Sequence, residues 1–409
     1  MNALHGNAMV GQSGGPTAAI NATLSGVIRG VLDAKDTIPT LYGLKNGVEG
    51  LLKENFVDLT KIFASEADLL TLEDTPAAAL GSCRYKLPKP DADRATFDRI
   101  LAIFKKYDVR YFFYIGGNDS MDAVAKLSAY LETVDYEMRI IGVPKTIDND
   151  LVGTDHTPGF GSAAKYIATT IKEIVRDCAV YTIPAVTIVE IMGRDAGWLT
   201  AASSLAALSG DGPDLIYLPE RAFSLDAFFT DVKAALLKHP NVVVAVSEGL
   251  RFADGTYVGA SAQSGAKDTF GHAYLAGTGK FLESAVKAEI GCKVRAVELN
   301  LPQRCAAHLA SATDIEESVR TGKTAVSSAI AGTSGHMMVA LRTDEPYSVQ
   351  ISSSPVSEIA NMVKTVPDAY INEAGNGITE KGIAYLKPLI LGERTPVYEN
   401  GMPKHFVIR

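Results

Sequence analysis

The stretch that decides the fold is MRIIGVPKTIDND, residues 138–150. Its first half, Met138 to Val143, is an apolar run that ends at a proline, which is typical of a buried β-strand. Its second half, residues 144–150, places a cation, a hydroxyl, an amide and two carboxylates on one loop. Ligands of open α/β sheets bind just beyond the carboxyl ends of strands, so this loop is expected to carry reacting groups. For the loop alone, a polar turn that bonds only its own backbone is the alternative.

Length and composition exclude several classes of protein. A chain of 409 residues that is 47% hydrophobic can bury a large core and is expected to form two lobes. The net charge is −8 and the basic residues form no stripe, which argues against a nucleic-acid partner. Its four cysteines lack CxxC spacing, the start does not resemble a signal peptide, and no apolar run could cross a bilayer. We therefore expect a cytoplasmic globular protein without a membrane partner.

Two units repeat the order strand, glycine turn, helix. They comprise a strand near 8–10 with GQSGGP (11–16) and a helix at 17–32, and a strand at 109–115 with GGNDS (116–120) and a helix at 121–131. Free N–H groups at such helix N-termini suit a phosphate. The carboxylate of Asp119 would repel a long polyphosphate, which favours a short ligand. Helix capping by Asn118 or Asp119 is the alternative.

Further strand ends are followed by charged groups. They are the loop GSCRYK (81–86), the turn MGRDAGW (192–198) after a strand at 184–191, SEG (247–249) after a strand at 242–246, and PQR (302–304) after a strand at 294–299. Arginine in a glycine-lined turn can grip phosphate oxygens with two parallel hydrogen bonds. This repetition indicates a phosphoryl-transfer or phosphosugar site.

Other motifs carry less weight. GQSGG also fits the nucleophile turn of α/β-hydrolases, but Ser13 comes too early in the chain for that role. Gly322-Lys323-Thr324 lacks the upstream glycine of a P-loop. The histidines are isolated, so His156, His272 and His308 are expected to be structural.

From about Met9 to Ser311 the chain resembles the phosphofructokinase family, and within it the pyrophosphate-dependent branch. The resemblance rests on motifs in the family's order: GQSGGPTAAIN, LGSCRYKL, GGNDS, PKTIDND, TPGFGSA, EIMGRDAGW, SEG and PQR. It implies an α/β fold of two Rossmann-like lobes with mostly parallel sheets and an active site in the cleft between them. The expected division is a donor lobe at 1–143, an acceptor lobe at 144–320 with segments crossing back, and a C-terminal extension at 321–409 completing the lobes.

The resemblance also implies a role for each matching residue. Asp148 would be the base that takes the proton of the sugar 1-hydroxyl, and such a base needs no unusual pKa. Thr146, Lys145, Arg194 and Asp119 would complete the catalytic group. The donor would be bound by Gly14, Arg84, Gly117 and Lys145. The sugar phosphate would be bound by Thr146, Ile147, Asp148, Met192, Gly193, Arg194, Glu248, Arg295 and Arg304. The metal would be bound by Asn118 and Asp150.

The implied reaction uses Mg²⁺, pyrophosphate and fructose 6-phosphate. Because some arginines of the family reach into a neighbouring subunit, a homodimer or homotetramer is implied as well. An ATP-dependent enzyme and a non-catalytic sugar-phosphate-binding regulatory subunit are the alternatives. ATP users carry glycine where this chain has Asp119 and Lys145, and intact Thr146, Asp148 and Arg194 argue against a regulatory subunit.

Three departures from the family pattern concern the metal and the acceptor. Asn118 replaces an aspartate that binds magnesium in the family, although an amide can still ligate. Leu301 and Ala185 replace side chains that often touch the sugar phosphate. Sedoheptulose 7-phosphate is therefore a second possible acceptor.

Replacing Asp119 by glycine is expected to let ATP bind, because it removes charge repulsion and overlap at the α-phosphate. Lys145→Gly should instead lower turnover with pyrophosphate, because a charge-assisted contact to the donor is lost. Kinetics with both donors for the two variants and their combination measure this. ATP binding that stays undetectable in Asp119→Gly would contradict the exclusion argument.

Overall fold

The structure is a computed structural model that describes residues 3–260 and 277–408; His272 lies outside these ranges. The described strands are β1 (Asn7–Gln12), β2 (Leu41–Leu44), β3 (Phe56–Asp58), β4 (Val109–Gly116), β5 (Arg139–Pro144), β6 (Ala185–Ile191), β7 (Leu215–Tyr217), β8 (Asn241–Ser247), β9 (Lys293–Glu298), β10 (His336–Asp344), β11 (Tyr347–Pro355), β12 (Tyr398–Glu399) and β13 (Met402–Pro403). They form two main sheets, and the α/β class with mostly parallel strands is confirmed.

Helices flank both sheets. The described α-helices are α1 (Ile20–Asp33), α2 (Gly47–Leu52), α3 (Leu59–Ile62), α4 (Glu66–Glu73), α5 (Arg94–Lys106), α6 (Asn118–Leu131), α7 (Phe160–Cys178), α8 (Trp198–Ala202), α9 (Leu225–Leu236), α10 (Thr278–Glu289), α11 (Pro302–Cys305), α12 (Ala312–Ile330) and α13 (Glu380–Leu386). None of the helices within the described ranges is long and apolar enough to span a membrane.

The first sheet has seven strands in the order β11-β10-β5-β4-β1-β2-β3. Its centre, from β10 through β5, β4 and β1 to β2, is parallel, and β3 and β11 add antiparallel edges. Apolar clusters cover both faces, which explains why β4 reads as a continuous apolar run rather than an alternating one. The uniform hydrophobicity of residues 109–115 therefore predicted a central strand correctly.

The C-terminal part of the chain returns to this first sheet. β10 pairs with β5 in parallel at His336–Ile141 and Met337–Gly142, and β11 turns back along β10. Residues far beyond the acceptor motifs thus complete the sheet that carries the first glycine turn. The domain boundaries given above stay a prediction.

The second sheet has four strands in the order β7-β8-β6-β9, and every pairing is parallel. Since parallel strands present their carboxyl ends at one edge, the turns after β6 and β8 lie side by side, as the pairing Ile191–Ser247 shows. This arrangement brings the 192–198 turn next to Glu248.

Helices α1 and α12 approach each other so closely that glycine is needed at the contact. A Cβ added to Gly26 would stand 2.1 Å from the Val319 carbonyl oxygen, and one added to Gly322 would stand 2.1 Å from that of Thr23. Both distances are far inside contact range with backbone atoms, which cannot rotate away. The backbones of these helices therefore pack directly on each other.

Gly26→Ala is expected to destabilise the fold by about 2 kcal/mol or more, because overpacking a tight contact forces backbone shifts. Denaturant unfolding measures the change. Ser327→Ala, on the exposed face of α12, is the control and should stay within about 0.5 kcal/mol of wild type. Equal stability of both variants would contradict the close-contact explanation.

Candidate active site

Three neighbouring strand ends of the first sheet bring the sequence motifs together. Gln12 of β1 pairs with Ile115 of β4, and Gly116 at the end of β4 pairs with Pro144 at the end of β5. The turns that hold Gly14, Gly117 and the 145–150 loop therefore emerge at one edge. This edge is where ligands of parallel α/β sheets bind.

The first glycine turn is fixed by the loop that precedes Arg84. Gly14 has a φ of 77°, a conformation that favours glycine, and its N–H donates to the Cys83 carbonyl at 3.3 Å. The Ser82 hydroxyl donates to the Gly14 carbonyl at 2.6 Å. The exposed side chain of Arg84 thus starts beside the turn that was predicted to bind the donor.

Lys145 ties the β5 loop to this turn. Its side chain is only 2% exposed, and Nζ donates to the carbonyls of Ser13 at 2.9 Å and Gly15 at 2.5 Å. Burial lowers the pKa of Lys145 to about 8, although Asp148 opposes that shift. The ammonium therefore holds the first glycine turn, and its role in donor binding stays a prediction.

Asp148 is held by Thr146, two residues earlier. The Asp148 N–H donates to the Thr146 hydroxyl oxygen at 3.1 Å, and that hydroxyl lies 3.4 Å from Asp148 Oδ2. Burial raises the pKa of the Asp148 carboxyl, while the Thr146 hydrogen bond and the charge of Lys145 lower it. That the base needs no unusual pKa stays a prediction. The pKa is raised because the loop lies deeper than its polar sequence suggested.

The rest of the loop is built around Asn149, which is fully buried with a φ of 53°. Its side-chain oxygen accepts from the Thr157 N–H at 3.1 Å, and its amide donates to the Tyr385 hydroxyl at 3.2 Å. Burial raises the pKa of the next residue, Asp150, to about 7, and the charge of Asp148 adds to the rise. These contacts exclude the alternative of a turn bonded only to itself.

The second sheet contributes the turn after β6. The Gly193 N–H donates to Glu248 Oε1 at 3.2 Å, and the Met192 N–H donates to Gln303 Oε1 at 3.1 Å. Burial raises the pKa of Glu248 to about 7; Asp148 adds to the rise and Arg194 opposes it. The mutual influence of Glu248, Asp148 and Arg194 means that the two sheets meet at this place.

Two arginines of the site each have a buried Nε–H group that donates no hydrogen bond within the described residues. Nε of Arg194 and Nε of Arg304 are buried without a hydrogen-bond partner among residues 3–260 and 277–408. Arg304 Nη1 would lie 3.5 Å from a Cβ on Gly15, so this side chain points towards the donor turn. Its charge acts on both Lys145 and Asp148. A buried donor without a partner fits a site whose acceptor comes with a ligand.

Two predicted sugar-phosphate residues lie elsewhere. Ile147 is 5% exposed and packs in the apolar core of the second lobe, so its side chain does not line the cleft. Arg295 is exposed on β9 at the level of Thr187, in a cavity that Asp177 and Tyr181 also line. That position is near the start of β6 rather than its end, so one chain alone does not bring Arg295 to the other site residues.

The first turn of α6 also differs from expectation. Gly117 is the N-cap, so Asn118 and Asp119 are the first residues inside the helix and neither is its cap. Asn118 Nδ2 donates to the Met362 carbonyl at 2.8 Å, and its Oδ1 accepts from the Asn361 N–H at 2.6 Å. This geometry gives Asn118 a structural role and does not support metal ligation. Asp119 is exposed at the helix N-terminus, at the mouth of the donor turn.

Lys364 was missed by the sequence analysis. Its Nζ donates to the Asp155 carbonyl at 2.6 Å, to the Thr154 carbonyl at 3.1 Å and to Asn149 Oδ1 at 3.3 Å. Burial lowers the pKa of Lys364 to about 8. It stands in the ordinary-looking stretch NMVKTV (361–366), where no glycine turn or motif marks it.

Two glycine turns at strand ends, a half-buried carboxylate and two arginines with unpartnered Nε atoms lie where the two mostly parallel sheets meet, which fits a phosphotransferase. The family model described as Phosphofructokinase matches residues 7–329. The chain belongs to the phosphofructokinase family, which confirms the resemblance found in the motifs.

Similar proteins cover almost the whole chain. It is 43% identical to the pyrophosphate--fructose 6-phosphate 1-phosphotransferase of Xanthomonas campestris pv. campestris, over 99% of this chain and 96% of that protein. It is 42% identical to the protein of the same name from Halomonas elongata, over 97% of this chain and 95% of that protein. The crystal structure of a pyrophosphate-dependent phosphofructokinase from Nitrosospira multiformis matches with a TM-score of 0.89 at 37% identity, covering 98% and 96% of the two chains.

Glu248→Gln is expected to raise the free energy of unfolding at neutral pH. The pKa of Glu248 is about 7 in the fold against an ordinary 4.5, so between these values the folded protein binds more protons than the unfolded chain. Wild-type stability must therefore fall as the pH rises from about 4.5 to about 7. The glutamine variant keeps its stability because glutamine does not titrate. We expect a gap of about 1–2 kcal/mol above pH 7, reduced from the full shift because the side chain is partly solvated.

Denaturant unfolding across this pH range checks the expectation. The gap should close as the pH falls towards the ordinary pKa of a glutamate. Glu373→Gln, at an exposed position, is the matched control and should show no pH-dependent gap. A gap of constant size for Glu248→Gln would rule out its titration as the cause.

Proposed function

We propose that this phosphofructokinase transfers a phosphoryl group from pyrophosphate to the 1-hydroxyl of fructose 6-phosphate, giving fructose 1,6-bisphosphate and phosphate in a reversible reaction. The observation that supports the proposal is that Asp148, on the loop after β5, interacts electrostatically with Lys145 of that loop and with Arg194 and Glu248 of the second sheet's turns. The names of the relatives at 42% and 43% identity agree with this donor and acceptor.

In the proposed mechanism the protein mainly positions groups and balances charge. Phosphoryl transfer passes through a loose transition state, so charge on the non-bridging oxygens must be met by fixed cations. Lys145, Arg194 and Arg304 are the cations that act on Asp148 in the structure. Asp148 accepts the proton of the attacking hydroxyl, and its raised pKa makes it a stronger base than an exposed aspartate.

The two aspartates of the loop fit a magnesium ion. Mg²⁺ takes oxygen ligands and is commonly held by one or two carboxylates, substrate phosphates and water. Asp150 is a half-buried carboxyl whose pKa is raised by burial and by the charge of Asp148, and a cation would relieve that repulsion. Among the described residues no cluster of three or more acidic, histidine or cysteine side chains could hold a metal ion alone, so the donor would supply further ligands. When bound, the ion would neutralise donor charge.

The acceptor end would be formed by Met192, Gly193, Arg194 and Glu248. Arg304 would bind the phosphate of the acceptor from further away. Arg295 would serve a neighbouring subunit, since it lies on an exposed surface near Tyr181 and Ile183, which are both 53% exposed. A homodimer or homotetramer is therefore part of the proposal. So is a cytoplasmic location, with which the four free cysteines agree.

The test is product formation from fructose 6-phosphate with pyrophosphate or ATP, in magnesium and in excess chelator. We expect pyrophosphate to support turnover, ATP not to, and chelator to abolish the rate. Turnover with ATP equal to that with pyrophosphate would overturn the donor assignment.

Asp148→Ala is expected to lower turnover by roughly 100- to 10,000-fold, because a positioned base is lost, while fructose 6-phosphate still binds. Turnover and sugar-phosphate binding are measured on the same preparation. Asp314→Asn is the matched control, since Asp314 is a buried carboxyl that accepts from the Gly159 and Ser162 N–H groups and touches no predicted site residue. If Asp148→Ala kept more than about a tenth of the rate, Asp148 would not be the base.

A further inference from the structure

Residues 361–366, here called the strap, run from the donor side of the cleft to the second lobe. At its first end the strap is bonded to α6. The Asn361 N–H donates to Asn118 Oδ1 at 2.6 Å, Asn118 Nδ2 donates to the Met362 carbonyl at 2.8 Å, and Asn361 Nδ2 donates to Asp122 Oδ1 at 3.3 Å. Both polar atoms of the Asn118 side chain thus serve the strap.

At its middle the strap grips the catalytic loop through Lys364. The backbone N–H of Lys364 donates to the Asp150 carbonyl at 2.7 Å. Its ammonium donates to Asn149 Oδ1 and to the carbonyls of Thr154 and Asp155. An ammonium has three protons, and these acceptors use all of them.

At its far end the strap is bonded to the second lobe. The indole N–H of Trp198 donates to the Lys364 carbonyl at 2.9 Å, and the Val366 N–H donates to Glu220 Oε1 at 2.9 Å. The Lys364 ammonium also lies 5.3 Å from the centre of the Trp198 ring, within range of a cation–π attraction. One short segment therefore contacts α6, the catalytic loop and α8.

Hydrogen bonds, more than apolar burial, hold the middle of the strap. Met362 is 52% exposed and Val363 is 46% exposed, so these apolar side chains contribute little by packing. A segment held in place by apolar packing alone would bury these two side chains. The strap is instead placed by backbone groups and by the half-buried ammonium of Lys364, which specify position closely.

We propose that the strap is a positioning device for phosphoryl transfer, in which Lys364 holds the 148–150 loop at a fixed distance from the first turn of α6. This inference rests on the proposed function, because the distance matters only if the donor binds at the turns of the first sheet and Asp148 acts on the acceptor. Small misplacements of reacting groups are costly, since a shift of about 1 Å can lower a rate by about 100-fold. Lys364 and Asn118 are then positioning residues that touch neither substrate.

Lys364→Met is expected to lower kcat by about tenfold or more while changing KM for either substrate by less than about threefold, because geometry rather than binding is disturbed. Lys165→Met is the matched control. Lys165, which is 8% exposed, is also a lysine whose ammonium donates to a backbone carbonyl, but this carbonyl belongs to Gly392, away from the loop. Both variants should lose stability, and only Lys364→Met should lose kcat.

The single tryptophan supplies a second readout that does not depend on turnover. Asn118→Ala removes the two hydrogen bonds between the Asn118 side chain and the strap and leaves the Asn361–Asp122 bond. It should still shift the fluorescence emission of Trp198, which is bonded to the other part of the strap. The double variant Asn118→Ala/Lys364→Met should lose little more kcat than the worse single variant, because both act through one element.

Three results would overturn the proposal. One is a Lys364→Met variant that loses stability as Lys165→Met does but keeps its kcat, since the strap would then stabilise the fold without positioning the reacting groups. Another is a rise in KM alone. The third is an Asn118→Ala variant that needs more magnesium for half-maximal rate and leaves Trp198 emission unchanged, since Asn118 would then serve the metal. A wild-type protein without pyrophosphate-dependent turnover would instead refute the proposed function, and the emission of Asn118→Ala would still test the strap.

Discussion

The site depends on one buried ammonium, that of Lys145, held between the carbonyls of Ser13 and Gly15. Burying a cation is unfavourable unless hydrogen bonds and opposite charge compensate it. Here the two carbonyls accept the hydrogen bonds of the ammonium, and the nearby carboxylates of Asp148 and Asp150 supply the opposite charge. Because β1, β4 and β5 are adjacent and parallel, one side chain can join the first and last of these strand ends. The donor turn and the catalytic loop are therefore parts of one unit.

The cleft holds several ionisable groups at places where burial disfavours their charged forms. Burial raises the pKa of Asp148, Asp150 and Glu248 and lowers that of Lys145, so each group is displaced towards its neutral form. The unpartnered Nε atoms of Arg194 and Arg304 add to this imbalance. Such an arrangement is understandable if polyanionic substrates and a metal ion complete it. Stability is given up where charges are needed for function.

Local sequence signals predicted the parts of the fold and site that depend on local structure. Apolar runs ending in glycine or proline predicted β4, β5 and β6, and the turns after these strands carry Gly117, Asp148 and Arg194 as expected. Side-chain direction within a motif was not predictable: Ile147 points into the core although its neighbours face the cleft. The role of Asn118 depends on a partner 243 residues away, and no local pattern reports such a contact. Arg295 shows a third limit, since its distance from the other site residues within one chain could not be inferred from its place in the sequence.

The lobes are held together by the last quarter of the chain rather than by their own surfaces alone. β10 and β11 complete the first sheet, the strap crosses the catalytic loop, and Tyr385 of α13 bonds both Asn149 and the Asp155 carbonyl. Motifs for catalysis end well before these residues, so composition gave no reason to assign them a part in the site. Several of their contacts fall on the loop that carries Asp148 or on the strand β5 that precedes it, and others reach α6 and Trp198. The C-terminal residues therefore set the geometry of the cleft, and removing them would leave the motifs intact but their spacing undefined.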